Sequence, residues 1–282
     1  MRNLTLPSGR AIPVLGQGTW NMGEDPAREE AEIAALQQGM DLGMTLIDTA
    51  EMYGEGGSET MIGKAIAGRR DEVFLVSKVY PHNANFEGAQ AACERSLKRL
   101  NVERIDLYLL HWPGCFALDE TVDAFEALKK AGKIGDYGVS NFDLEGMQDA
   151  VGLAPSKAMA TDQVLFNLHR RGVEFDLLPW CRQQGIPVMA YSPLESNRPA
   201  QRQMLDNHAL QAVAARHGAT AAQIALAWVL HQDGVIAIPK AVTREHVRAN
   251  RAALDIKLTA QDMAALDSAF PPPRKPRTLD ML

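Results

Sequence analysis

Short continuous apolar runs alternate eight times along this chain with longer stretches whose apolar residues recur at helical spacing. The runs are VLGQGTW (14–20), TLID (45–48), VFLVSKV (73–79), IDLYLLH (105–111), YGVSN (137–141), ATDQVLF (160–166), PVMAYSPL (187–194) and VIAIPK (235–240). Runs that are apolar on both faces suit parallel strands, whose sheets are covered by helices on each side. Between them, 28–42 places Ile33, Leu36 and Met40 on one helical face. The same spacing predicts helices over 58–67, 86–100, 121–131, 144–151, 174–184 and 245–254. The seventh connection is longer and holds two helices, 207–217 and 221–231, split by Gly218. A further helix over 260–270 precedes a Pro-rich basic tail, and residues 3–13 read as a hairpin forming a lid or a plug. Eight strand–helix units in 282 residues predict an α/β fold of the (β/α)8 TIM-barrel type, one domain over 1–282. A doubly wound sheet is the competitor, but GQGTW lacks the third glycine and the helix start of a dinucleotide fingerprint.

In a barrel, the carboxyl ends of the strands form the working face. The stretch TLIDTAEMYGEGGSE (45–59) ends a strand at Asp48, presents Tyr53, and turns through glycines to Ser58, which reads as the N-cap of the next helix. The next strand ends near Lys78 and the one after at His111. Trp20, Ser140, Asn141, Gln163, Tyr191 and Lys240 come to the same face by the same rule. A phenol is an acid poorly matched to neutral pH, and a nearby ammonium favours its ionised form. Lys78 supplies that cation, Asp48 orients it, and His111 can donate a hydrogen bond to a substrate oxygen. Each residue has a bland reading: a buried ion pair, a rim tyrosine, a core histidine. The conjunction of four complementary groups at successive strand ends favours proton chemistry.

Composition narrows the classes. A net charge of −6 speaks against nucleic acid or an anionic membrane as partner, and no apolar run is long enough to span a bilayer. Cys93, Cys115 and Cys181 are widely spaced and odd in number, giving neither a disulfide framework nor a metal site, and a cytoplasmic location is expected. Cys115 follows His111 closely, as an inert loop thiol or an oxidisable one. No metal is expected at the scattered remaining histidines.

The blocks GQGTW, LIDTAEMYG, VSKV, IDLYLLHWP, GKIGDYGVSNF, the Gln163 strand, AYSPL and IPKAVT, in that order, resemble the aldo-keto reductase family over essentially the full chain. The bacterial branch that reduces methylglyoxal is the most similar. The resemblance implies that Asp48, Tyr53, Lys78 and His111 form the catalytic tetrad, in which a nicotinamide cofactor gives a hydride to a carbonyl and the tyrosine protonates the oxygen. It implies that Ser140, Asn141 and Gln163 hold the carboxamide and that Tyr191 stacks on the nicotinamide. Ser192, Pro193 and Leu194 would follow the pyrophosphate. Ile238 and Lys240 would lie at the eighth strand end, with Lys240 and Thr243 at the 2′-phosphate, and Asn250 would contact the adenine. Ala241, His246 and Ala249 stand where the family has a serine, an arginine and a glutamate, so the adenosine end lacks a planar cation. His246 is kept as a cofactor contact, and Arg244 and Arg248 are the cations at hand to compensate. NADPH is the expected cofactor, with NADH weaker.

Trp20, Met52 and Trp112 are expected to line the substrate pocket, with Leu194, for small carbonyl compounds of broad range. The loop after His111 and the tail are short, which points to an open rim. A monomer is expected, with a small homo-oligomer as the alternative. Two rival functions remain. One is an aldolase with Lys78 as Schiff-base nucleophile, which an adjacent Asp48 opposes by keeping the amine charged. The other is a cofactor-sensing or structural relative with little turnover, a role that does not need all four groups.

Overall fold

The computed structural model describes residues 1–156 and 158–282. A two-stranded antiparallel hairpin, β1 (Asn3–Thr5) and β2 (Ala11–Pro13), precedes a parallel sheet of eight strands. These are β3 (Gly16–Gly18), β4 (Leu46–Asp48), β5 (Phe74–Val79), β6 (Ile105–Leu110), β7 (Ile134–Ser140), β8 (Met159–Leu165), β9 (Val188–Tyr191) and β10 (Val235–Ala237). Each pairs in parallel with the next, in chain order. The parallel bridges Leu15–Ala237 and Gly18–Lys240 join the first of them to the last and close the barrel. At that seam a Cβ on Gly18 would lie 2.6 Å from the Ile238 carbonyl oxygen, so only glycine permits the approach.

The helices are α1 (Glu29–Asp41), α2 (Gly57–Ala65), α3 (Phe86–Leu100), α4 (Leu118–Lys130), α5 (Leu144–Leu153), α6 (Leu177–Gln184), α7 (Arg198–Leu205), α8 (His208–His217), α9 (Ala221–His231), α10 (Arg244–Ala253) and α11 (Ala260–Ala269). Strand alternation sorts the core into two clusters. Leu46, Phe74, Val76, Leu107, Leu109 and Ile236 fill the barrel, while the opposite faces of the strands pack against the helices. Leu6 and Ile12 of the hairpin join the interior cluster. Arg10 pairs with Asp106 and Asp136 near the starts of β6 and β7. The hairpin is therefore a plug at the end opposite the catalytic face.

Three local expectations change. Ser58 is not a cap: Gly54, Glu55 and Gly56 take φ of 56°, 52° and 90°, and α2 begins at Gly57. That early start turns Ser58 inward, where it donates to Thr19 and accepts from Thr49. The helix read over 174–184 begins only at Leu177, capped by Asp176, because Pro179 is tolerated in a first turn and not further in. The seventh connection holds a third helix, α7, before the two foreseen.

Asp162 on β8 is wholly buried, and its Oδ2 has no partner among the described residues. Its Oδ1 receives one long hydrogen bond, 3.5 Å from the Phe142 N–H. Burial pushes the carboxyl well above the ordinary range, so it stays protonated in the folded chain. The unfolded chain ionises from about pH 3.9 upward, and above that the folded state alone keeps the proton. Stability therefore falls as pH rises, until the folded pKa is reached. Asp162→Asn is expected to raise the melting temperature near neutral pH, with the gain shrinking towards about pH 4. Thermal unfolding across pH checks this; an equal effect at every pH would remove proton uptake as the cause.

Candidate active site

Alternation along β5 carries Lys78 to the barrel interior, on the same side as Phe74 and Val76. Asp48 follows Leu46 inward on β4, and His111 follows Leu107 and Leu109 beyond the end of β6. Lys78 is 0% exposed and Asp48 2%. The Lys78 Nζ donates to Asp48 Oδ2 at 2.8 Å and to the Thr49 carbonyl at 2.7 Å, and lies 3.5 Å from the Tyr53 hydroxyl. Three acceptors match the three hydrogens of an ammonium. Burial draws the Lys78 pKa down, while the charge and hydrogen bond of Asp48 oppose that. The other Asp48 oxygen accepts from Gln163 Nε2 at 2.7 Å.

Tyr53 lies between this pair and the cleft. Three consecutive left-handed residues follow it, including the non-glycine Glu55, and they are the strained turn that sets where the phenol points. Its ring packs edge-on to His111 at 5.7 Å, with the Lys78 ammonium 5.0 Å from the ring centroid. The expected lowering of the phenol pKa by Lys78 does not hold. Burial pushes it well above 10, and the charges of Asp48 and Tyr191 add to that. The physical reason is that desolvation disfavours phenolate more than one partly offset ammonium favours it. His111 is shifted the other way, well below the ordinary imidazole range, by burial and by the charge of Lys78. It is a neutral imidazole, and its Nδ1 is buried without a partner among the described residues.

These side chains open onto a cleft of about 690 Å³ at the carboxyl ends of the strands. Trp20, Met52 and Trp112 line it beside Tyr53 and His111. Ser140, Asn141, Gln163, Tyr191, Ser192, Pro193, Leu194, Ile238 and Lys240 line it too. Lys78 sits behind Tyr53, out of the wall. Thr243, His246 and Asn250 lie beyond the wall on and before α10; Thr243 caps that helix by accepting from the His246 N–H. Cys115 is exposed and is not part of the wall. Arg198, Gln201, Met281 and Leu282 are among the wall residues that the sequence reading missed. The tail, expected to leave the rim open, brings its last two residues into the wall.

The polar groups suit a nicotinamide dinucleotide. Gln163 gives its Nε2 to Asp48, which leaves its Oε1 without a partner among the described residues as an acceptor for a carboxamide. Asn141 donates to the His111 carbonyl and to Ser140, and accepts from the Tyr191 hydroxyl at 2.8 Å. Lys240 Nζ, just past β10, donates to the Asn21 carbonyl at 3.1 Å.

A closed (β/α)8 barrel thus carries at its strand ends a cleft lined by Asp48, Tyr53 and His111 and backed by the buried Lys78. The chain belongs to the aldo/keto reductase family, whose sequence model matches residues 14–270. It is 51% identical over 272 residues to methylglyoxal reductase YeaE of Escherichia coli (strain K12), covering 96% of both chains. It is 35% identical to glyoxal reductase of Bacillus subtilis (strain 168), covering 93% of this chain and 91% of that one. Among solved structures, an aldo/keto reductase from Klebsiella pneumoniae in complex with NADP and acetate superposes with a TM-score of 0.95 at 48% identity, over 99% of both chains. No helix among the described residues is long and apolar enough to cross a membrane.

Proposed function

We propose that this chain reduces small aldehydes and ketones with NADPH, methylglyoxal among them, and that Tyr53 gives the proton. The observation that carries this is the Lys78 ammonium held between Asp48 and Tyr53 directly behind the cleft. The names of the E. coli and B. subtilis relatives support the substrate class, and the NADP-bound Klebsiella structure supports the cofactor.

Ser140, Asn141, Gln163 and Tyr191 would hold the nicotinamide end and Lys240 the 2′-phosphate, with Thr243, His246 and Asn250 towards the adenosine. When bound, the cofactor supplies a hydride to the carbonyl carbon. Neutral His111 donates a hydrogen bond to the carbonyl oxygen from the nitrogen facing the cleft, which places its proton where a partner is available. Tyr53 transfers its proton to the same oxygen as negative charge gathers there. Lys78 offsets the charge left on Tyr53, and Asp48 holds Lys78 in place. Trp20, Met52 and Trp112 bring apolar area with little charge selectivity, which suits a broad range of small carbonyl compounds. The widely spaced cysteines support a cytoplasmic location.

The raised Tyr53 pKa has an expected consequence for pH. The phenol is protonated throughout the neutral range, so reduction stays nearly level there and falls only at alkaline pH. Alcohol oxidation needs the phenolate and rises with pH over the same interval. Initial rates in both directions, with methylglyoxal, an aromatic aldehyde, a ketone and an aldose compared for reduction, test the proposal. A reduction rate that drops on passing from acid to neutral pH would place the acid elsewhere.

A further inference from the structure

We propose that Glu32 of α1 is a positioning residue for Tyr53: it fixes the far end of the loop over 19–24, and that loop braces the turn that carries the phenol. The proposal rests on the reading of Tyr53 as the proton donor. Glu29, Glu30 and Glu32 stand in the first turn of α1, and Glu32 is the buried one, 1% exposed. Negative charge is favoured at that end of a helix, but burying a carboxylate costs stability unless its oxygens are satisfied. Glu32 Oε2 accepts from the Gly23 N–H at 2.9 Å, while Oε1 has no partner among the described residues. A buried group left half-satisfied calls for a reason beyond packing.

The reason lies in what Gly23 touches. Gly23 takes φ of 74°, and its backbone lies directly on the turn after Tyr53. A Cβ on Gly23 would stand 2.6 Å from the Gly57 carbonyl oxygen and 2.6 Å from the Ser58 nitrogen. A Cβ on Gly57 would stand 2.2 Å from the Gly23 carbonyl oxygen, and one on Gly54 would stand 3.3 Å from it. The two backbones pack with no side chain between them, so a shift of one is passed to the other. The turn needs such a brace. Its three left-handed residues include the non-glycine Glu55, and strain of that kind persists only where the surroundings fix it.

The other ties of the loop act nearer its start. The Thr19 N–H and hydroxyl both donate to the Asp48 carbonyl, at 3.1 and 2.9 Å, and Ser58 donates to Thr19 Oγ1 at 2.9 Å. Lys240 holds the Asn21 carbonyl. Among the described residues, Glu32 is the one side chain hydrogen-bonded to Gly23, where loop and turn meet. Glu32 is not part of the cleft wall, so its influence on the reaction runs through Gly23 and the glycines of the turn to Tyr53.

The test is kcat with methylglyoxal at saturating NADPH for Glu32→Met, Glu32→Gln and Glu32→Asp, with thermal unfolding alongside, and for Glu32→Met in the Tyr53→Phe background. Glu32→Met keeps the volume and removes the acceptor, and is expected to lower kcat about tenfold or more, as small misplacements of a reacting group do. Glu32→Gln keeps an acceptor for the Gly23 N–H and should stay within about twofold of wild type. Glu32→Asp keeps the charge, draws the acceptor back by one methylene and should be slow like Glu32→Met; it gives the same reading where the apolar variant does not fold. In the Tyr53→Phe background Glu32→Met should change the residual kcat little, because both substitutions act on one group. A lowered melting temperature with wild-type kcat would mean a structural role alone and overturn the proposal. An equal loss of kcat with and without the Tyr53 hydroxyl would overturn it too, and so would a Glu32→Gln variant as slow as Glu32→Met, which would put the effect in the charge. Near-wild-type turnover in Tyr53→Phe itself would overturn the reading of Tyr53 as the acid, and this proposal with it.

Discussion

Tyr53→Phe is expected to lower kcat by about 10² or more, the usual worth of a positioned acid, while leaving the fold and NADPH affinity unchanged. The substitution removes one oxygen from a side chain that stands between the Lys78–Asp48 pair and the cleft. The ring keeps its edge-on contact with His111, so the pocket keeps its shape. The hydroxyl makes one long contact, 3.5 Å from Lys78, and little stability depends on it. A change in kcat with intact cofactor binding therefore reports chemistry and not folding. His111 is neutral and can donate a hydrogen bond, but giving up its proton would leave an imidazolate, so it does not replace the phenol as acid. Near-wild-type turnover in Tyr53→Phe would remove the phenol from the mechanism.

Lys78→Met is expected to lose both activity and stability. It leaves the buried Asp48 carboxylate with Gln163 as its remaining side-chain partner. Breaking a buried pair by removing one member typically destabilises by about 3–5 kcal/mol, because the other charge stays behind in low dielectric. In a chain of this size that is a fall in melting temperature of roughly 6–20 °C. The double variant Asp48→Asn/Lys78→Met removes both charges and should recover much of the stability, because no unpaired ion remains. Its activity should not recover, since nothing then offsets the charge on Tyr53. Thermal unfolding and kcat, measured on both variants, check this. Recovery of stability and activity together would mean that Lys78 supports the fold and takes no part in the proton transfer.

The barrel was legible because its strands are buried on both faces and its connections have helical period. The convergence of Asp48, Lys78 and His111 was legible because each stands at or next to the end of an apolar run, whereas Tyr53, five residues past Asp48, is brought beside them by a turn. What escaped was set by local or wholly tertiary physics. Helix α7 is polar nearly all round, with Met204 its one buried residue, so it carries no apolar stripe to read. Its signals were Asn197 as a cap and Pro199 in the first turn, both of which also suit a loop. Ser58 was read as a cap because serine favours that place, but the left-handed run before it moves the cap two residues back, to Gly56. The Tyr53 pKa went the other way from expectation because the sequence shows a neighbouring cation and does not show how deeply both groups are buried. The tail reads as a solvated Pro-rich end. Asp280 and Arg170, 3.2 Å apart and 110 residues apart in sequence, help hold it where Met281 and Leu282 reach the cleft.

The most direct measurement of the central claim is the stoichiometry of methylglyoxal reduction by the wild-type chain, with NADPH loss and alcohol formation followed in the same reaction. Saturable NADPH consumption, matched one to one by alcohol and depressed about 10² or more in Tyr53→Phe, is the expected result. Tight NADPH binding without consumption, for methylglyoxal and for the aromatic aldehyde, ketone and aldose alike, would contradict it and leave a protein that senses the cofactor without turning it over.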